Sequence, residues 1–418
     1  MAIRGHILGV DFGTSNSSAG FFYDGRPRLI EMAPGKFTLP TTFFFDFETR
    51  QTLIGEPANQ ALIEGYDGRF MRTLKRVLGT PLMHEKRQIL NERVTFVEII
   101  GDFLHQIKSR AEAATGLIFD TAISGRPVVF HSVNDPREQQ AEVDLRACYL
   151  AAGFKEVEFM AEPEAAAIAS GALKQSSEIS LIVDIGGGTS DFSLFQANQE
   201  RITILANHGA RIGGTDFDRT ISFSQVMPPL GKGTQLRNVL GPETSVVPNA
   251  IFNDLATWEK IPFLYTPQNS RLAHEMSRLA IEPDKLRRLA NVLDNQLGHD
   301  LAFAVEHGKI GANAGHKQSF ILLDQIERGL TVPLPIEALA RILAPHTNVL
   351  RSAVHETLQM ANLHPEQVGR VIYVGGSSLM TVVVETMKIL FPSAQHSFSD
   401  VFTAVTDGLA IASTRITQ

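Results

Sequence analysis

The sequence predicts an α/β chain of two related halves that face one another across a cleft, each half with a smaller peripheral subdomain. Three observations lead there. Ile7-Leu8-Gly9-Val10 is a short apolar strand that runs into Asp11, then Phe12-Gly13-Thr14-Ser15. Ser180-Leu181-Ile182-Val183 runs into Asp184, then Ile185-Gly186-Gly187-Gly188-Thr189-Ser190, which repeats the plan. A third apolar strand, Val371-Ile372-Tyr373-Val374, enters Gly375-Gly376-Ser377-Ser378. A strand–Asp–glycine-turn device used twice points to duplication, and 418 residues exceed what one simple core holds. The expected halves are residues 1–175 with 400–418 and residues 176–399. Their peripheral subdomains are expected near 39–116 and 220–329.

Helices are expected between the strands. Thr95-Phe96-Val97-Glu98 has capping-box spacing, and Phe96, Ile99, Ile100, Phe103, Leu104 and Ile107 follow on one helical face as far as Thr115-Gly116. Asp135-Pro136 opens another helix with proline at its first position, and Gly153 closes it. Glu162-Pro163 starts an alanine-rich helix through Ala169. Charged helical patterning runs from about Leu272 to Gly311, as suits a peripheral subdomain, and a final helix covers Ala404–Ser413. Pro228, Pro229, Gly231, Gly233, Gly241, Pro242 and Pro248 break all periodicity, so 227–248 reads as a long surface loop. Residues 393–399 read as a polar connection.

Composition narrows the function classes. A chain that is 44% hydrophobic and 20% charged is an ordinary globular protein. A formal charge of −7 argues against a broad nucleic-acid footprint, which needs a basic face. The single cysteine, Cys148, excludes an internal disulfide framework and multi-cysteine metal sites, and it reads as a small buried hydrophobe. No signal-peptide pattern and no run of about 18 apolar residues occurs, so the expected address is the cytoplasm, with no membrane partner.

The paired Asp-Gly-Thr turns carry the chemistry. Glycines admit close backbone approach, and successive backbone N–H groups form a concavity suited to phosphate oxygens, to which Thr or Ser hydroxyls add donors. A strand-end Asp can hold Mg²⁺ through water, because Mg²⁺ prefers oxygen ligands and retains much of its hydration. Two such turns facing each other would grip a triphosphate from both sides. Read one at a time, Gly13 and Gly186–Gly188 also fit simple tight turns. No G-x-x-x-x-G-K-[ST] sequence occurs, Asp191 stands where a dinucleotide fingerprint needs its last glycine, and no H-E-x-x-H zinc signature is present.

Ile7–Ser17, Ser180–Leu194 and Val371–Ser378 resemble the phosphate-1, phosphate-2 and adenosine motifs of the actin, hexokinase and DnaK superfamily. Three further segments resemble the DnaK branch: Leu74-Lys75-Arg76-Val77-Leu78-Gly79, Met160-Ala161-Glu162-Pro163-Glu164-Ala165-Ala166-Ala167, and Arg211-Ile212-Gly213-Gly214-Thr215-Asp216-Phe217-Asp218. The matches follow family order and span almost the whole chain. The short YegD-like members, which end after the nucleotide-binding domain and lack a peptide-binding half, look most similar. The resemblance implies a two-lobed actin-like ATPase fold with duplicated ribonuclease-H-like subdomains and an ATP/ADP and Mg²⁺ site. It also implies a possible protein client or co-chaperone.

By the same resemblance, Asp11 and Asp184 would hold hydrated Mg²⁺, and Thr14, Ser15 and Thr189 would donate to phosphate. Lys75 would reach the γ-phosphate. Glu162 would orient the attacking water or the metal's hydration shell, and Asp191 would complete the second turn. Gly213, Gly214, Gly375, Gly376 and Ser377 would border the nucleotide, and Glu306 with Lys309 would lie near the ribose. Taken alone, these residues leave plainer readings open. Lys75 beside Arg72 and Arg76 fits a solvated basic helix end. Glu162 fits a helix-start carboxylate. Glu306 and Lys309 fit a surface i, i+3 ion pair, and Asp218 reads as structural.

Where the resemblance implies arginines around the adenine ring, this sequence has Ile310 and Leu379, so guanidinium stacking is missing and base recognition is expected to differ. An Asp expected near the last helix is replaced by Phe402 or displaced to Asp400, and Ala161 replaces the Asn before Glu-Pro. Three functions are therefore weighed: a weak DnaK-like ATPase, a small-molecule kinase of the same superfamily, and a nucleotide-sensing or filament-forming protein without turnover.

Overall fold

The computed structural model describes residues 6–131, 135–170, 178–197, 202–238, 241–315, 319–398 and 403–416. Asp400 and Phe402, together with the end of the 393–399 segment, lie outside these residues.

Leu8, Val10 and Phe12 are fully buried, as are Leu181, Val183 and Ile185. Strands so apolar belong at the centre of a sheet, and each of these two strands occupies that place. The first sheet runs in the order Glu156–Ala161, Thr121–Arg126, Ile7–Phe12, Asn16–Tyr23, Arg26–Leu29, with Thr38–Pro40 added beside Asn16–Tyr23. The second runs Gln395–Phe398, Val368–Val374, Ile179–Ile185, Ser190–Ala197, Ile202–Ala210. In both, the central strand pairs antiparallel with the strand that follows it and parallel with the strand on its other flank.

The helices repeat the plan as well. Phe96–Thr115, Arg137–Ala151 and Glu162–Ala169 alternate with the last two strands of the first sheet; Ile336–Met360, Thr381–Leu390 and Ala404–Ile416 do so in the second. The chain thus contains two β3αβαβα copies. Each is interrupted after its third strand by a long insertion.

Local chemistry sets several helix limits. The Thr95 hydroxyl accepts the Glu98 N–H at 3.3 Å, and the Glu98 carboxylate accepts the Thr95 N–H at 2.7 Å, the reciprocal box expected there. Gly116 ends that helix at φ 70°, a conformation that costs glycine little. The next helix begins at Arg137, with Pro136 as the residue flanking its start. Cys148 is buried within it.

The described residues form two compact units, one comprising residues up to 211 with 350–379 and 383 onward, the other 212–349 with 380–382. This division differs from the expected boundary at 176, for both large sheets fall in the first unit. The cause is an apolar cluster that joins them: Ile123 of the first sheet, Ile182 and Ile372 of the second, and Ala165, Ala166, Ile168, Val405 and Leu409 of two helices. Helix Ala404–Ile416 lies on the first sheet and against helix Glu162–Ala169. Small residues let those helices meet: a Cβ at Gly408 would stand 1.8 Å from the Ala165 carbonyl oxygen. Gly408→Ala is therefore expected to destabilise the protein by about 3 kcal/mol, read as a lower urea midpoint; an unchanged midpoint would contradict the packing.

In the second unit, helix Pro267–Leu279 supplies buried Ala273 and Met276, Pro283–Asp294 supplies Leu286, Leu289 and Leu293, and Gly298–Asn313 supplies Leu301. Two sequence expectations need correction. Residues 227–248 do not form an irregular loop: a 3-10 turn at Pro228–Leu230 buries Leu230, and Gln235–Arg237 pairs with Thr244–Val246 in a hairpin. Its glycines and prolines punctuate short elements rather than a long coil. Within 393–399, Gln395–Phe398 is a strand, invisible as such because its edge position leaves it polar. No helix among the described residues is long and apolar enough to cross a membrane.

Candidate functional site

The two Asp-Gly turns leave equivalent central strands. At the first, a Cβ on Gly13 would lie 2.1 Å from the Asn16 carbonyl oxygen, so the backbone doubles back too tightly for any other residue. At the second, the Gly186 N–H donates to the Thr189 carbonyl at 2.9 Å and closes the loop. Gly375, at φ 77°, brings the third turn against the second: its Cβ would stand 2.7 Å from an Asp184 carboxylate oxygen. Thr14, Gly186, Gly187 and Ser377 are half-buried, whereas Ser15, Thr189 and Gly376 are exposed.

Asp11 and Asp184 stand on the strands that lead into these turns, and other charged side chains act on them. Lys75, on the 3-10 turn Leu74–Val77, places Nζ 2.6 Å from Glu162 Oε1, and the two side chains are 10% and 16% exposed. A solvated basic helix end is thereby excluded for Lys75, and Glu162 does more than start its helix. Asp184 stands opposite Asp191 in the strand register. Next to Lys75, the Arg76 guanidinium donates to the Gly188 carbonyl at 3.3 Å, and it fills the space a Cβ at Gly188 would need.

Burial drives the Asp11 carboxyl up to about 7, and the nearby Glu162 charge adds to the rise while Lys75 opposes it. Asp191 is pushed up to about 7 by burial and Glu162, against Lys75 and a hydrogen bond from Thr189. Asp184 is raised well above the carboxylate range by burial, then by Glu162, Asp191 and Asp11. Burial works against the Lys75 ammonium, yet Glu162, Asp11 and Asp184 outweigh it and hold its pKa above the ordinary lysine value. These mutual influences place Asp11, Asp184, Asp191, Glu162 and Lys75 in one group, which holds four carboxyls and one ammonium.

Acidic side chains outnumber basic ones in this group, and the atoms it could offer a metal are all oxygen, the preference of Mg²⁺. Among the described residues no three His, Cys, Asp or Glu side chains converge closely enough to ligate an ion directly.

Gly213, Gly214, Glu306 and Lys309 belong to the second compact unit. There the Gly213 N–H donates to Asp216 at 3.0 Å. Lys309 is buried and pairs with Asp218 at 2.8 Å, so the surface Glu306–Lys309 pair is replaced by a link between two helices. Ile310 is exposed and Leu379 half-buried. Sequence reasoning passed over Arg76 and the buried Asp144. The latter had a signal: it interrupts the apolar stripe Ala141, Leu145, Cys148.

Two β3αβαβα copies with a strand-end carboxylate and glycine turn in each define the two-lobed actin-like ATPase fold. A family model described as Hsp70 protein matches residues 7–226, more than half of the chain, and takes in both Asp-Gly turns, Lys75, Glu162 and Gly213-Gly214. The chain belongs to the Hsp70 family. It is an ATP-binding, chaperone-like protein of the DnaK type, and its family binds ATP and ADP, typically with Mg²⁺.

Proposed function

We propose that this chain hydrolyses ATP slowly, transferring the γ-phosphoryl group to water at the Asp11–Lys75–Glu162–Asp184–Asp191 group. The observation that carries the reading is the buried Lys75–Glu162 pair at 2.6 Å beside carboxyls driven up by burial and by the neighbouring negative charges. Asp11 and Asp184 would hold hydrated Mg²⁺, which supplies charge neutralisation at the phosphates when bound. Backbone N–H groups of the two glycine turns, with Thr14, Ser15 and Thr189, bind the phosphate oxygens. Lys75 neutralises charge that develops on the transferred group, an effect strengthened by its burial. Glu162 orients the attacking water. Asp191, titrating near neutral pH, is matched to taking up that water's proton. Positioning and electrostatics then supply the rate, as in other phosphoryl transfers.

Release of labelled phosphate from ATP with water as the sole acceptor tests the assignment. Phosphate release by the wild-type protein, lost in Asp184→Ala, is the expected result. ADP formation only when a sugar or another metabolite is added would instead establish a kinase. Tight nucleotide binding without hydrolysis would make the protein a sensor.

A further inference from the structure

Lys75 is carried on a turn whose position is set by groups far from it in sequence. Thr73 at φ 61° and Gly79 at φ 78°, both left-handed, bracket the Leu74–Val77 turn. A threonine in that region is strained and persists only where its surroundings impose it. The turn's own backbone bonds, Arg76 N–H to the Thr73 carbonyl at 3.0 Å and Thr80 N–H to the Val77 carbonyl at 3.1 Å, fix its shape. They do not fix its place relative to Glu162.

Helix Arg137–Ala151 holds the exit of the turn, while Arg76 reaches Gly188 from within it. Asp144 is fully buried, and its Oδ2 accepts the Gly79 N–H at 2.8 Å. Its Oδ1 accepts from Gln140 Nε2 at 2.7 Å and lies 2.9 Å from His84 Nε2. Beside it, His131 Nε2 donates to the Leu78 carbonyl at 2.7 Å. Gly79 is pressed onto the same helix, where a Cβ would stand 2.4 Å from the Arg137 carbonyl oxygen. The exit of the turn is thus anchored by a charge-assisted bond in a buried setting, the stronger kind.

We infer that Asp144 is a positioning residue for Lys75, fixing the turn through the Gly79 N–H so that the ammonium stays against Glu162. The inference rests on the hydrolytic role proposed for Lys75. Displacement of a charge-stabilising group by about 1 Å can cost on the order of a hundredfold in rate.

Two measurements on the full chain test it. The first is acylation of Lys75 by acetic anhydride, followed by mass spectrometry. Its labelling is expected to rise several-fold in Asp144→Ala while exposed lysines such as Lys155 are unchanged. The second is a double-mutant cycle in single-turnover hydrolysis. Asp144→Ala is expected to slow the wild type about tenfold, with ATP affinity by calorimetry held within about twofold, and to slow Lys75→Ala no further. Asp144→Asn, which keeps an acceptor for Gly79, is expected to fall between and serves if the alanine variant does not fold. Unchanged Lys75 labelling in both Asp144 variants would overturn the inference. So would an equal Asp144→Ala penalty with and without Lys75, the mark of general destabilisation. Wild-type hydrolysis by Lys75→Ala would instead overturn the hydrolytic reading, leaving the labelling result to judge the placement.

Discussion

Lys75→Ala lowers the single-turnover rate of ATP hydrolysis by about 10²–10³-fold, the loss expected when one pre-positioned donor is withdrawn from the developing transition-state charge. The ammonium is 10% exposed and lies among four carboxyls, so water cannot replace it effectively. The loss should fall on the chemical step more than on nucleotide affinity, because phosphate binding also uses the glycine-turn N–H groups and hydroxyls. Lys75→Arg is not expected to restore the rate: a planar guanidinium does not fit where a compact ammonium sits 2.6 Å from one carboxylate oxygen. Rapid-quench measurement of labelled phosphate checks both variants. Wild-type rates in Lys75→Ala would remove the mechanism.

The second large effect is on stability, and it runs against function. Asp11 and Asp191 have folded-state pKa values of about 7, above the unfolded value near 3.8. Folding therefore takes up protons between about pH 4 and 7. The associated stability is present below that window and is lost as pH rises through it. Above pH 7 the nucleotide-free protein must hold these carboxylates ionised and close together. Asp11→Asn keeps the shape and removes the charge. It is expected to stabilise the nucleotide-free protein at pH 8 by ~1–2 kcal/mol, or about 1–2 °C in Tm, and to have a smaller effect at pH 5, inside that window. Hydrolysis should be lost in the same variant, a trade of activity for stability at a strained site. Differential scanning calorimetry at the two pH values measures it; equal changes at pH 5 and pH 8 would contradict the titration described.

The sequence made the turns readable because their chemistry is local. Gly13 admits a chain reversal that a Cβ would block at 2.1 Å, and apolar Leu8, Val10, Leu181 and Val183 mark central strands wherever they occur. Thr95 and Glu98 announced their helix for the same reason, with both halves of the box inside four residues. What escaped depends on distant partners. Arg76 reaches Gly188 and Asp144 reaches Gly79, contacts that no local pattern encodes. Gln395–Phe398 is a strand only because Val368–Val374 lies beside it. The two halves were separable in sequence by their repeated turns, yet Ile123, Ile182 and Ile372 share one core through the helices packed between them.

The measurement that bears most directly on the central claim is calorimetric titration of nucleotide with Mg²⁺ and, in parallel, with EDTA. If Asp11 and Asp184 hold a hydrated ion at the phosphates, Mg²⁺ should tighten ADP binding by the wild type at least about tenfold, some 1.4 kcal/mol, and this gain should vanish in Asp11→Asn and Asp184→Asn. Equal affinities with and without Mg²⁺ in the wild type, or a gain that survives in both variants, would show that these carboxylates do not serve the nucleotide.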